Sequence, residues 1–111
     1  MSTDYELLKV VAKAIGHEET KVGERGWFYL CTYQDNPKEW ELWNPLNDDG
    51  DCARIETILE IELQWHDNGV QAGKRGNPVG VFCFYSDHGG DKNAARRQAS
   101  VEFAAAIGEA L

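Results

Sequence analysis

Residues 79–86, Val-Gly-Val-Phe-Cys-Phe-Tyr-Ser, carry the clearest strand pattern in the chain, and the helix that follows them sets what it packs against. Val79, Val81, Cys83 and Tyr85 face one way, and Phe82 and Phe84 the other. Both alternating sets are apolar, which predicts a central strand covered on both faces. The loop Asp87-His-Gly-Gly-Asp91 ends in an acid placed to cap a helix. Ala95, Ala99, Phe103, Ile107 and Leu111 then step by four along one face of an alanine-rich segment, with Gly108 weakening its last turn.

Working outward, Asn68-Gly69 is a tight-turn pair, a short strand at 70–73 follows it, and Gly73-Lys-Arg-Gly76-Asn-Pro78 is a basic turn. Ile61, Leu63 and Trp65 alternate with Glu62, Gln64 and His66, as in a half-buried strand. Asp51 is placed to cap a helix bearing Ile55, Ile58 and Leu59 on one stripe; its junction with the strand falls near residue 61. Residues 34–50 read as a long connection marked by Asn36-Pro37, Asn44-Pro45 and Asp49-Gly50. Residues 27–33, Trp-Phe-Tyr-Leu-Cys-Thr-Tyr, read as a strand with apolar residues on both faces. The first helix opens with the Thr3/Glu6 capping-box spacing, carries Tyr5, Leu8, Val11, Ala12 and Ile15, and stops at Gly16. A polar connector, 17–26, joins it to the strand. The pattern predicts an α+β fold, a single-domain sandwich over 1–111 in the order α-β-α-β-β-α. A mostly antiparallel sheet of three or four strands has helices on both faces.

The chain has 111 residues, enough for one domain, and 42% hydrophobic residues, which excludes a disordered chain. A net charge of −8 argues against direct nucleic-acid binding, and no apolar run is long enough for a membrane span. No charged-then-apolar leader opens the chain. Cys31, Cys52 and Cys83 form no C-x-x-C pair and read as reduced, buried thiols. The expected location is therefore the cytoplasm.

The acidity is local. Residues 1–66 hold 6 basic and 14 acidic residues, whereas residues 67–111 hold 5 of each. Asn47-Asp-Asp-Gly-Asp51 suggests a calcium loop, but taking Gly50 as the sixth position puts Pro45 at the first, and the pattern fails. Asp48, Asp49 and Asp51 are instead ordinary helix-start acids, or part of an acidic surface for a basic partner. Trp40 and Trp43 beside them either fold the segment onto the sheet or anchor a partner. Lys74, Arg75, Arg96 and Arg97 offer an alternative site for an anion or nucleotide, although Gly69 and Gly73 have only three residues between them and Arg75 replaces the hydroxyl of a phosphate loop. His17, His66 and His88 have no common ligand spacing, and the adjacency of Ser86, Asp87 and His88 is no evidence for a triad. No metal, no cofactor and no catalytic activity is expected.

Two stretches carry a resemblance. Trp43-Asn-Pro-Leu-Asn-Asp-Asp-Gly-Asp-Cys-Ala-Arg54, leading into an apolar helix, and Asp91-Lys-Asn-Ala-Ala-Arg-Arg97, opening an alanine-rich one, resemble the small phage and prophage proteins of the Phage ABA sandwich domain family. Cys52 stands where that family has a small residue such as alanine. The resemblance implies an α/β sandwich and a phage or prophage origin, and no activity. In one reading of the shared residues, Asp48, Asp49 and Asp51 cap the second helix and receive Arg54, Arg96 or Arg97. The functional expectation is a non-enzymatic phage accessory protein, monomer or homodimer. It binds a host or phage protein with a basic surface in the host-cell cytoplasm, as a counter-defence inhibitor presenting an acidic face would.

Overall fold

The computed structural model describes residues 4–17, 19–23, 28–33 and 39–111. Thr3 of the expected capping box, Trp27, Asp35 and the Asn36-Pro37 turn lie outside the described residues. The elements run α1 (Asp4–Ala14), β1 (Thr20–Val22), β2 (Phe28–Tyr33), β3 (Glu39–Leu42), α2 (Asp49–Leu59), β4 (Glu62–Trp65), β5 (Gly69–Lys74), β6 (Asn77–Phe84), a 3-10 turn (Tyr85–His88) and α3 (Lys92–Glu109). The fold is α+β, as expected. The strands form two three-stranded antiparallel sheets, β1-β2-β3 and β4-β5-β6, instead of one sheet of three or four.

Strands β1 and β3 come from segments read as connections. Glu39-Trp-Glu-Leu42 is half acidic and mostly exposed, so neither strand propensity nor an apolar face announces it; its pairing with β2 supplies the main-chain partners. The turn at Asn68-Gly69 is present, closed by the His66 N–H donating to the Gly69 carbonyl at 2.8 Å. α2 ends at Leu59, where Glu60 takes a left-handed conformation (φ 55°, ψ 44°) and sends the chain into β4.

α3 positions everything else. Ala95, Ala99 and Phe103 pack on Val70, Ala72, Cys83 and Tyr85 of the second sheet and its following turn. Val101, Ala104 and Ala105 face a second core of Leu8, Val11 and Ala12 from α1, Phe28 and Leu30 from β2, Trp43, and Ile55 and Leu59 from α2. The helix therefore buries apolar side chains on two faces, which a single stripe stepping by four does not convey; Leu111, at the end of that stripe, is 70% exposed. Gly108 is a packing residue: a Cβ there would lie 2.3 Å from the Val10 carbonyl oxygen, so α1 and α3 meet backbone to backbone.

Strand β6 departs from its expected place. It is an edge strand, and Phe82 and Phe84 are exposed on the face of the second sheet turned away from α3. An apolar face on a strand is a sign of burial only when something is available to cover it. In the first sheet, among the described residues, β2 is the strand with neighbours on both sides, and its Phe28, Leu30 and Cys31 are buried.

Candidate functional site

The segment from Trp43 to Arg54 is held by its own polar groups. Asn44 to Asn47 form a turn in which the Asn47 and Asp48 N–H groups donate to the Asn44 carbonyl at 3.1 and 2.9 Å. Asp48, and not Asp51, caps α2: its backbone is extended and its carboxylate accepts the Asp51 N–H at 2.9 Å. This satisfies one of the donors that every helix start leaves open. Asp51 accepts the Asn44 N–H at 2.9 Å through one oxygen and faces Arg54 at 3.4 Å through the other. Asp49 accepts from Arg97 at 2.6 Å, and Arg97 also donates to the Leu46 carbonyl at 2.8 Å, joining the turn to the start of α3.

The candidate partner-binding set is thus divided. Trp43 is 4% exposed and meets Phe28 in the core with ring centroids 5.7 Å apart, so it is no surface anchor. Trp40 lies on the opposite face of the first sheet from Leu30, half-buried, with the Lys21 ammonium 4.4 Å over its ring. Asp51 is turned inward and Asp49 is taken by Arg97, so Asp48 is the exposed acid of the three with no cation on it.

The candidate anion site is not assembled. Arg96 and Arg97 are engaged by acids of α2 at the start of α3. Lys74 and Arg75 are exposed at the tip of the β5–β6 hairpin. β6 runs from that tip to Phe84 before α3 begins, and at about 3.3 Å per residue this puts the tip roughly 20 Å from the strand end beside which α3 starts.

The structure brings together a cluster that sequence reasoning missed. Glu56 of α2 is the hub. Arg96 chelates its carboxylate, with Nε 3.0 Å from Oε2 and Nη2 on Oε1; Ser100 Oγ donates to Oε2 at 2.6 Å; and the Cys52 thiol lies 3.8 Å from the same oxygen. Cys52 and Ser100 are fully buried, and the Glu56 and Arg96 side chains are 11% and 17% exposed. The bidentate hydrogen bond to Glu56 raises the Arg96 pKa further above its already high value, against the opposing effect of burial. Burial first, and the Glu56 charge second, push the Cys52 thiol up to about 12. A thiol, a hydroxyl and a carboxylate in contact resemble catalytic machinery in composition only. The carboxylate already accepts three donors, and a thiol held protonated is a poor nucleophile. The cluster clamps α2 to α3. Its trace in the sequence is two i,i+4 pairs, Cys52/Glu56 and Arg96/Ser100, each on one face of its helix.

A cavity of about 190 Å³ lies between the end of α1, the first sheet and α2, lined by Ile15, His17, Leu30, Glu41, Trp43, Arg54 and Ile58. Arg54 and Glu41 pair across it at 3.7 Å. It is smaller than the ~300–1,000 Å³ usual for ligand pockets. Among the described residues no three His, Cys, Asp or Glu side chains are grouped to hold a metal ion, and no helix is long and apolar enough to cross a membrane.

The surface that remains is acidic. Over residues 39–62, Glu39, Glu41, Asp48, Asp49, Glu60 and Glu62 are exposed, against Arg54 as the one base. Searches against family profiles, curated proteins and solved structures find no match to this chain.

Proposed function

We propose that this chain is a non-enzymatic phage or prophage accessory protein of the Phage ABA sandwich type. It acts in the host cytoplasm by binding a basic surface of a host or phage protein. The counter-defence form of this reading has the acidic half occupy a partner's nucleic-acid-binding surface, without itself binding nucleic acid. The observation that carries the reading is the acidity left over once the structural acids are accounted for. Glu56, Asp49 and Asp51 each hold a cation or a backbone group. Glu60 does neither: it follows the last turn of α2, where the helix dipole favours cations, and its backbone adopts φ 55°, which favours Gly or Asn. Glu62 follows it, exposed on β4. Helix stability does not ask for a carboxylate at Glu60; a basic partner would.

The test is Glu60→Asn combined with Glu62→Gln, compared with the natural chain in affinity capture from phage-infected lysate at about 50 and about 300 mM salt, between which screening shortens the reach of surface charge. The expected result is a specific partner whose recovery falls at least tenfold at high salt and in the variant, while the variant is no less stable. A partner retained equally by both chains and at both salts overturns the reading.

A further inference from the structure

We infer that the free edge of β6 is a self-association surface, and that two copies of this chain join there, antiparallel across a two-fold axis, to make one continuous six-stranded sheet. The inference does not rest on the acidic half of the molecule.

The main-chain pattern of β6 follows from one bond beyond its end. The Tyr85 N–H donates to the Asn68 carbonyl at 3.0 Å, and Cys83 opposes Val70 and Val81 opposes Ala72 in the same register. Hydrogen-bonded pairs alternate along an antiparallel ladder. Val81 and Cys83 therefore turn their N–H and C=O groups to β5, Phe82 and Phe84 turn theirs to the open edge, and so does the Gly80 carbonyl, which lies trans to the inward Val81 N–H; the register shifts beyond the Ala72/Val81 pair, where the regular alternation ends. All three residues are exposed.

These three positions are self-complementary. With Phe82 opposite Phe82 of the second copy, Gly80 falls opposite Phe84 and Phe84 opposite Gly80, and the edge closes with about four main-chain hydrogen bonds. The side chains suit this register. Phe84 of each copy lies across from Gly80 of the other, beside the Gln71 side chain that already borders that glycine, a cross-strand arrangement in which an aromatic ring adjoins a glycine. The Phe82 and Phe84 rings, 38% and 46% exposed, already touch edge to face at 5.0 Å, and His66 adjoins Phe82 at 5.6 Å. The end of the Phe82 ring lies against Gly69, where a Cβ would come within 2.5 Å of it. Pairing would thus extend an aromatic strip already laid down on the outer face.

Charge allows this meeting at one end of the molecule only. Residues 77–84 contain no charged side chain; Pro78 and the register shift beside it interrupt the start of the strand, and the open pairing length is Gly80 to Phe84. Residues 67–111 are neutral in sum, and the net −8 sits in residues 1–66. Two copies meeting through the second sheet bring together the part of the chain that is neutral in sum, with Glu102, 3.8 Å from the Cys83 thiol, as an acid adjoining the edge. The other edge of that sheet, β4, is only Glu62–Trp65 and carries Glu62.

Sedimentation equilibrium of the natural chain from about 1 to about 200 µM spans ordinary association constants. It should show the mass rising from the 12.5 kDa chain to twice that value. Phe82→Lys and Phe82→Glu each place like charges face to face at the two-fold and should give monomers, and an equimolar mixture of the two should restore the dimer. Amide exchange on the natural chain supplies a readout that needs no variant: the Phe82 and Phe84 amides should slow as concentration rises. A natural chain that stays monomeric throughout overturns the proposal. So does a dimer that persists in folded Phe82→Lys, or a folded Lys/Glu mixture that stays monomeric. Concentration-independent exchange at Phe82 and Phe84 does the same, and points to some other strand as the occupant of the edge.

Discussion

Gly108→Ala sets helix propensity against tertiary packing and gives them opposite signs. In a helix interior, alanine is more favourable than glycine by about 1 kcal/mol, so propensity predicts a stabilised protein. The added methyl would lie 2.3 Å from the Val10 carbonyl oxygen, 2.8 Å from Val10 Cγ1 and 3.1 Å from the Val10 carbonyl carbon. Ordinary carbon–oxygen contacts begin near about 3.3 Å, so α1 must retreat by about 1 Å. Val11 and Ala12, fully buried in the core that also holds Ala104 and Ala105, lose contact as it does. A radial gap of about 1 Å forfeits up to half of the dispersion well for the atoms along it, and overpacking of this kind costs typically about 1–3 kcal/mol. After the propensity gain of about 1 kcal/mol, the net destabilisation is up to about 2 kcal/mol. For a chain of this length that is a fall in Tm of up to roughly 15 °C by circular dichroism. Adding Val10→Ala should not restore the loss, because the nearest obstacle is main-chain oxygen. A Gly108→Ala protein with a Tm at or above that of the natural chain refutes the argument.

Glu56→Gln keeps the shape of the clamp and removes its charge. Arg96, 17% exposed, is then left without its carboxylate, and Ser100 must compete with it for one amide oxygen. Breaking a buried pair costs about 3–5 kcal/mol, and partial exposure here brings this to about 2–4 kcal/mol; the urea midpoint should fall accordingly, and an unchanged midpoint argues against the clamp. The buried thiols predict an alkaline limit to stability. Cys52 and Cys83 are held up to about 12 and about 11, against an ordinary 9.0, in both cases chiefly by burial. The unfolded chain releases these protons near pH 9 while the folded chain retains them. Their contribution is thus fully present below about pH 9 and is lost as pH rises through the folded values. Urea midpoints from about pH 8 to about pH 10.5 should fall, and Cys52→Ala with Cys83→Ala should flatten that fall; an equal fall in the double variant contradicts the assignment.

The sequence made the helices legible and the sheets only in part. Asp91 caps α3, accepting the Ala94 N–H at 3.1 Å, and Gly16 follows α1 with φ 89°, because both features are local: a short polar side chain, and a residue without Cβ. Strand β3 was hidden because its stability comes from β2 and not from its own residues. β6 was legible as a strand but not as an edge, since periodicity reports which side chains share a face and nothing about what lies beside the strand. The Pro-Leu-Asn-Asp-Asp-Gly-Asp segment was readable as a helix start, yet which acid caps it depended on the turn made by Asn44 to Asn47. Glu56, Cys52, Arg96 and Ser100 meet only through the packing of α2 on α3, across 40 and more residues of chain. No spacing rule within one helix reaches that far.

Placed on one molecule, the two proposals have a shared consequence. The acidic half and the β6 edge belong to different parts of the chain, and the molecule is elongated, 49 × 32 × 26 Å. A dimer joined at β6 holds two acidic halves apart and fixed relative to each other. Against a partner with a single basic surface, each copy acts alone and dimerisation changes nothing. Against a partner that is itself two-fold or repeats along a filament, the second contact forms at a high effective concentration, and avidity exceeds the affinity of one face without any new contact. The monomeric Phe82→Lys chain separates the two cases, because its acidic half is untouched. If it binds as the natural chain does, the partner offers one surface. If its binding falls by orders of magnitude, the partner is repeated, and the charge-free β6 edge in the half that is neutral in sum then lets the acidic half be used twice.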